Sequence, residues 1–277
     1  MALEVEALDL LANLFHRYMR DKLVKDRGNN YYELFIEEKQ DLIRESIFRI
    51  NSGVLTNDKI SFAKYQIFLF SFEILIAKYS AGVSLDLITK EYHKSLALLI
   101  DGWEDSVVKL KLGNKVLDQY MLNQYCYLVW MISIAILINV KPSEFRELKY
   151  LIEKGKIKDD FILYLIESNT KSPLTIERTK TTYKPFSNLY KKGNYADINS
   201  SDIKKYLEGW YNNTKLLTWH NYVASIDRAR YYYGYWSFES AAIVAILDLD
   251  DSSFRDNQYY PKDLVDYYRS NQQNQLG

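Results

Sequence analysis

At 277 residues the chain can bury roughly three quarters of its unfolded surface, as one large unit or two of ordinary size. With 48% hydrophobic residues, ten Gly and only four Pro, it is neither collagen-like, low-complexity nor intrinsically disordered. Thirty-six Lys plus Arg balance thirty-six Asp plus Glu, which removes the basic footprint of sequence-independent phosphate binding, so no direct nucleic-acid contact is expected.

The amino terminus, MALEVEALDLLANLF, carries Glu4, Glu6 and Asp9 where an export signal needs positive charge. It runs into an amphipathic pattern with Val5, Leu8, Ala12, Phe15 and Met19 on one face. Helical spacing continues, interrupted at Gly28-Asn29-Asn30, Asn51 to Gly53, Gly82, Gly113 and Lys141-Pro142. The pattern predicts helices over Ala2–Lys25, Tyr31–Ile50, Asp58–Ser80, Leu85–Leu112 and Lys115–Asn139. In the fourth, Leu85, Ile88, Tyr92, Leu96, Leu99, Trp103, Val107 and Leu110 form one continuous face. Gln119 to Val140 holds no formal charge, yet its strictly apolar part, Tyr125 to Ile138 interrupted by Ser133, has the length of a buried core helix rather than a bilayer span. No membrane contact is expected, and the sole cysteine, Cys126, fits a buried thiol in a reducing, cytoplasmic compartment.

Beyond Pro142, shorter helices are predicted at Ser143–Glu153 and Lys158–Glu167. The periodicity then fails: Asn169 to Asn199 contains Pro173, Pro185 and Gly193, and reads as an irregular loop rather than a hairpin built on Leu174, Ile176 and Tyr183. Helical spacing returns at Asp202–Tyr211, Leu216–Ser225 and Asp227–Leu247, before a turn-rich tail. An offset of 109 residues places Asp118–Phe145 on Asp227–Phe254 without gaps, and Phe70-Ser71-Phe72-Glu73 echoes Trp236-Ser237-Phe238-Glu239. Chance similarity between apolar helices accounts for this as well as duplication does; it suggests comparable central helices in two halves. The expected fold is all-α, about nine or ten helices in two packed subdomains, residues 1–140 and 141–277. Charge is uneven: Met1–Val140 has 16 basic and 18 acidic residues, Lys141–Lys192 12 and 7, Gly193–Gly277 8 and 11.

Catalytic patterns are scarce. His16, His93 and His220 form no HExxH pair, so neither a metal site nor a cofactor is expected, and ten scattered glycines form no phosphate loop. Cys126 has no basic neighbour to activate it. Carboxylates cluster at Asp101, Glu104 and Asp105, at Asp159 and Asp160, and at Asp248, Asp250, Asp251 and Asp256; solvated helix ends and turns are their default reading. Twenty-five Tyr and five Trp shift the expectation from bond-making chemistry toward surface recognition, although most belong to an aromatic core.

The run YYYGYWSFESAAIVAILDLDDSSFRDNQYYPKDLVDYY, Tyr231 to Tyr268, resembles the signature of the PoNi family, immunity proteins of polymorphic nuclease toxins. The matching elements are Gly234-Tyr235-Trp236, Phe238-Glu239, Ala241-Ala242, the acidic turn Asp248 to Asp251, and Tyr259-Tyr260-Pro261 with Asp263. Leu207-Glu208-Gly209-Trp210-Tyr211 is similar to that family's carboxy-terminal domain, and Ile74 to Gly82 to its first domain; Lys141 to Asn199 matches no motif. The resemblance implies a cytoplasmic, helical, non-catalytic bacterial protein that binds and blocks a cognate DNase toxin.

The signature residues have structural work first. Glu239, in an apolar helix, needs a donor such as Arg228, Arg230 or a Tyr hydroxyl. Partner contact is expected instead at the acidic patches Asp101, Glu104, Asp105 and Asp248, Asp250, Asp251, Asp256. The alternatives are a helical enzyme with a pocket around Glu239 and His220, and a general helical scaffold.

Overall fold

The computed structural model describes residues 30–170, 174, 177–189, 194–222, 228 and 230–276. The helix expected over Ala2–Lys25 lies outside them. Among the described residues, ten α-helices and one two-stranded hairpin build an all-α protein.

Helices α1 (Tyr31–Asn51), α2 (Asn57–Ser80) and α3 (Leu85–Gly102) pack consecutively, with α2 between the other two. Among the described helices α2 alone is long and apolar enough to cross a bilayer, yet most of that stretch is buried within the protein. Gly102 makes close approach possible at the end of α3: a Cβ there would lie 2.8 Å from the carbonyl carbon and oxygen of Lys64 on α2.

The helix expected through Leu112 therefore ends ten residues early. One turn, α4 (Asp105–Val108), leads into β1 (Lys109–Leu112), which pairs antiparallel with β2 (Lys115–Tyr120). The cause is local: Lys109-Leu110-Lys111-Leu112 alternates with period two, and Gly113, at φ +59°, opens a two-residue turn. The hairpin also takes the first residues of the helix expected over Lys115–Asn139, which becomes α5 (Leu122–Leu137), buried from Tyr125 onward.

After α6 (Pro142–Lys154) and α7 (Asp160–Thr170), which takes the first two residues of the segment expected as a loop, the described residues of that segment are irregular, with 3-10 turns at Phe186–Leu189 and Tyr195–Asp197. Helix α8 (Ser200–Asn213) begins with a reciprocal cap: Asn199 Oδ1 accepts from Ser201 and Asp202 N–H, and Asp202 Oδ2 accepts from Asn199 N–H. No helix forms over Leu216–Tyr222. Burial of Leu217, Trp219 and His220 draws that stretch into turns closed by hydrogen bonds three residues apart.

Of the helix expected over Asp227–Leu247, residues 227 and 229 lie outside the described residues, Arg228 is helical, the chain leaves the helix over Arg230 to Ser237, and a helix resumes at Phe238. Gly234 holds φ +128°, which a helix cannot accommodate, and its absent Cβ would lie 2.1 Å from Ser80 Oγ. Tyr232 to Ser237 consequently pass the carboxy-terminal end of α2 as irregular chain before α9 (Phe238–Leu247), which packs on α5, α8 and α10 (Lys262–Leu276). One continuous apolar cluster runs through these elements, from Tyr31 to Val265.

Candidate functional site

Glu239, in the first turn of α9, is completely buried. Its Oε1 accepts from Trp210 Nε1 (2.6 Å), Tyr206 hydroxyl (2.7 Å) and Ser237 Oγ (2.8 Å), and its Oε2 from Trp130 Nε1 (3.0 Å). The expected tyrosine hydroxyl is there; the arginines are not, and indoles take their place. Burial raises the carboxyl above its ordinary value, against the Tyr206 hydroxyl, its own backbone N–H, Ser237 and Trp210. The Cys126 thiol is pushed up by burial and then by the Glu239 charge, leaving it inert.

The rest of the signature segment is fixed from several sides. Ser80 Oγ donates to the Tyr233 carbonyl (2.8 Å) and accepts from Trp236 Nε1 (2.8 Å), while Ser237 N–H donates to the Tyr259 carbonyl (2.8 Å). Tyr235 hydroxyl reaches the carbonyls of Trp219 and His220. Gly234, Tyr235, Phe238, Tyr259, Tyr260 and Pro261 are buried and Trp236 is half-buried. Asp263 is exposed and accepts from the Tyr79 hydroxyl. His220 is buried, stacked on Tyr211 at 4.0 Å, with Nδ1 2.8 Å from Thr214 Oγ1. No open pocket joins it to Glu239 among the clefts described below.

The amino-terminal half has its own buried carboxylate. Glu73, on α2, meets Lys39 Nζ at 2.6 Å, and that ammonium lies 5.2 Å and 5.0 Å from the ring centres of Phe35 and Phe70. Burial raises Glu73 more than Lys39 lowers it. Sequence reading missed this pair. Its one signal was the echo between Phe70-Ser71-Phe72-Glu73 and Trp236-Ser237-Phe238-Glu239, whose glutamates are both enclosed.

The expected acidic patches are largely satisfied from within. Asp101 pairs with Lys64 (2.8 Å), Asp105 with the buried Lys109 (2.9 Å), and Asp256 with Lys262 (2.8 Å). Asp251 is buried, contrary to its expected place on a docking surface: it holds Arg255 (2.9 Å), Arg269 (3.2 Å) and the Tyr260 hydroxyl (3.1 Å), tying the turn after α9 to α10. Glu104, Asp248 and Asp250 are exposed. Asp250 is held below the ordinary carboxylate range by the N–H and hydroxyl of Ser252. One patch sits at and just beyond the end of α3, the other beyond the end of α9.

Two adjoining clefts open beside the hairpin. The first, about 320 Å³, lies between β2, the start of α7 and residues 179–183. Asp159 lines it and caps α7, accepting from Phe161 N–H (3.1 Å), Ile162 N–H (3.1 Å) and the Tyr125 hydroxyl (2.8 Å). Burial raises its carboxyl to about 6 despite those donors. Asp160 turns inward, accepting from Thr181 N–H (2.8 Å) and the Tyr195 hydroxyl (3.0 Å). The second cleft, about 660 Å³, shares Gln119, Tyr120, Thr182 and Tyr183 with the first and continues past Leu110 and Lys184 to Lys215 and Leu216.

Fold and site thus describe an all-helical protein whose interior carboxylates are enclosed rather than presented to a substrate. Family models for the PoNe immunity proteins (PoNi) match in both halves, the amino-terminal domain over residues 20–150 and the carboxy-terminal domain over residues 157–264. The chain belongs to the PoNe immunity protein family. The crystal structure of protein PA2201 from Pseudomonas aeruginosa is similar in fold, with a TM-score of 0.62 over 87% of this chain and 88% of that one, at 18% identity. No curated protein matches the chain.

Proposed function

We propose that this chain neutralises a cognate nuclease toxin by stoichiometric binding, in the cytoplasm of the cell that makes it, without catalysis of its own. The observation that carries the reading is the match to both immunity-protein domains across residues 20–264. The site chemistry supports it. Glu239 and His220, the centre of the alternative enzyme reading, are sealed and hydrogen-bonded, whereas acid–base catalysis needs a group within reach of substrate. Asp159 borders a cleft, but its Oδ1 is occupied by the α7 cap and Tyr125.

Titration of the purified product of the adjacent upstream gene, assayed for DNA cleavage, tests the proposal. Stoichiometric inhibition requires activity to fall linearly to zero near one equivalent of this chain, with a complex of matching mass on size exclusion with light scattering. Complete protection far below one equivalent would indicate turnover, and the absence of both complex and protection would refute the reading.

A further inference from the structure

The toxin-binding reading leaves open which surface meets the partner, and the distribution of unpaired charge points away from the acidic patches. Asp101, Asp105, Asp251 and Asp256 are neutralised by the chain's own cations, which leaves Glu104, Asp248 and Asp250 exposed without an ion pair among the described residues. Around the second cleft the situation is reversed. Lys184 and Lys215 line it, both are exposed, neither has a carboxylate partner among the described residues, and no described acidic side chain lines that cleft. Beside these ammonium groups is apolar surface: Leu216, 81% exposed, and Leu110, 40% exposed, line the cleft, and Leu112, 72% exposed, follows Leu110 on the hairpin. Leu110 and Leu112 share one face of β1, since side chains two apart in a strand point the same way. Leu216, on the turn after α8, lines the same cleft as Leu110.

We propose, resting on the immunity reading, that this basic, leucine-lined cleft is the docking site for an acidic segment of the toxin that places an apolar side chain between Leu110 and Leu216. Lysines without partners attract carboxylates and steer association, while leucines contribute contact area that a phosphate backbone does not use. That contrast favours a peptide segment over nucleic acid. It also places the toxin contact away from mimicry of DNA: the segment bound is acidic, unlike the basic surface with which a nuclease grips its substrate.

The test uses the full chain and the purified product of the adjacent upstream gene, with binding followed by biolayer interferometry at low and high salt. Leu216→Asp and, as an uncharged second variant, Leu216→Ser should each weaken binding at least about tenfold, by loss of a central apolar anchor. Lys184→Glu with Lys215→Glu should slow association several-fold at low salt and flatten its salt dependence. Arg49→Glu with Lys59→Glu, an equal change of charge at exposed positions in the last turn of α1 and the first turn of α2, should leave both unchanged. All these positions are exposed, so circular dichroism and Tm should match the wild type. If wild type binds and the cleft variants bind equally well, the docking site is refuted and the immunity reading stands. If wild type does not bind at all, the immunity reading falls, and the toxin segment with it. Binding of a short labelled DNA duplex, lost in the double lysine variant, would overturn the proposal in favour of nucleic acid.

Discussion

Glu239 has four hydrogen-bond donors and no cation, so its replacement tests buried hydrogen bonding rather than an ion pair. In Glu239→Ala the indole N–H groups of Trp130 and Trp210 lose their acceptor in a site that is fully enclosed, and an indole can only donate. An orphaned buried donor costs about 1–3 kcal/mol, so the two indoles together cost roughly 2–6 kcal/mol before any cavity is counted. Tyr206 and Ser237 can rotate their hydroxyls and add less. Glu239→Gln is the informative companion: its oxygen can keep the three donors on Oε1, while its amide faces Trp130 Nε1 donor to donor. One orphaned donor implies about 1–3 kcal/mol. Urea denaturation followed by circular dichroism should therefore rank wild type above Gln above Ala. Against a typical stability of about 5–15 kcal/mol, the Ala variant approaches the limit of folding and should protect poorly through low abundance. An Ala variant as stable as wild type that has lost toxin binding would refute this assignment and make Glu239 a contact residue.

Three other outcomes follow from the same geometry. Asp159 has a folded value of about 6 against an ordinary 3.8, so its contribution is fully present below the ordinary value and lost as pH rises through 6, on the order of 3 kcal/mol. Asp159→Asn keeps a capping side chain and should flatten the stability curve between about pH 4 and 6; an unchanged slope would assign the shift elsewhere. Gly234→Ala should destabilise by more than about 2 kcal/mol in thermal or urea melts, because its Cβ meets Ser80 Oγ at 2.1 Å and Trp236 Nε1 at 2.7 Å on a backbone with φ +128°. Lys39→Met should cost about 3–5 kcal/mol by stranding Glu73, whereas Lys39→Met with Glu73→Leu should recover most of it; equal losses in single and double variants would show that packing dominates.

Much of the helical architecture was legible because it rests on period. Tyr31 to Ser80 reads as two helices separated by Asn51-Ser52-Gly53, and α1 and α2 begin and end within two residues of that reading. The failures share one cause. Apolar residues at Trp103, Val107 and Leu110 satisfy a helical face while Lys109 to Leu112 also satisfies strand alternation, and the Gly113-Asn114 turn that decides between them was read as a helix stop. In Tyr231 to Trp236 almost every residue is aromatic, so any period fits, and only the left-handed region required of Gly234 breaks the helix. Burial of Glu239 was legible from its apolar surroundings. Its indole donors were not, because Trp130 lies 109 residues away and Trp210 on a third helix. The burial of Asp251 was equally hidden: an acidic turn looks solvated until Arg255, Tyr260 and Arg269 converge on one of its members.

That division bears on how such a protein can keep a recognisable family sequence while facing a particular partner. The segment that identifies it, Gly234 to Pro261, supplies the close approach to the end of α2, the enclosed carboxylate and the packing of α9, all of which rest on buried contacts. Most of those side chains lie beneath the surface, so a toxin cannot read them. Exposed Leu110 and Leu216, and the lysines Lys184 and Lys215, carry no such obligation: their side chains are exposed and make no ion pair among the described residues. Substitution there costs the fold little, because surface changes away from buried features usually stay within about 0.5 kcal/mol. Residues free to vary without unfolding the chain are the ones on which partner choice can be built, and in this structure they gather around the cleft beside the hairpin rather than in the acidic turn after α9.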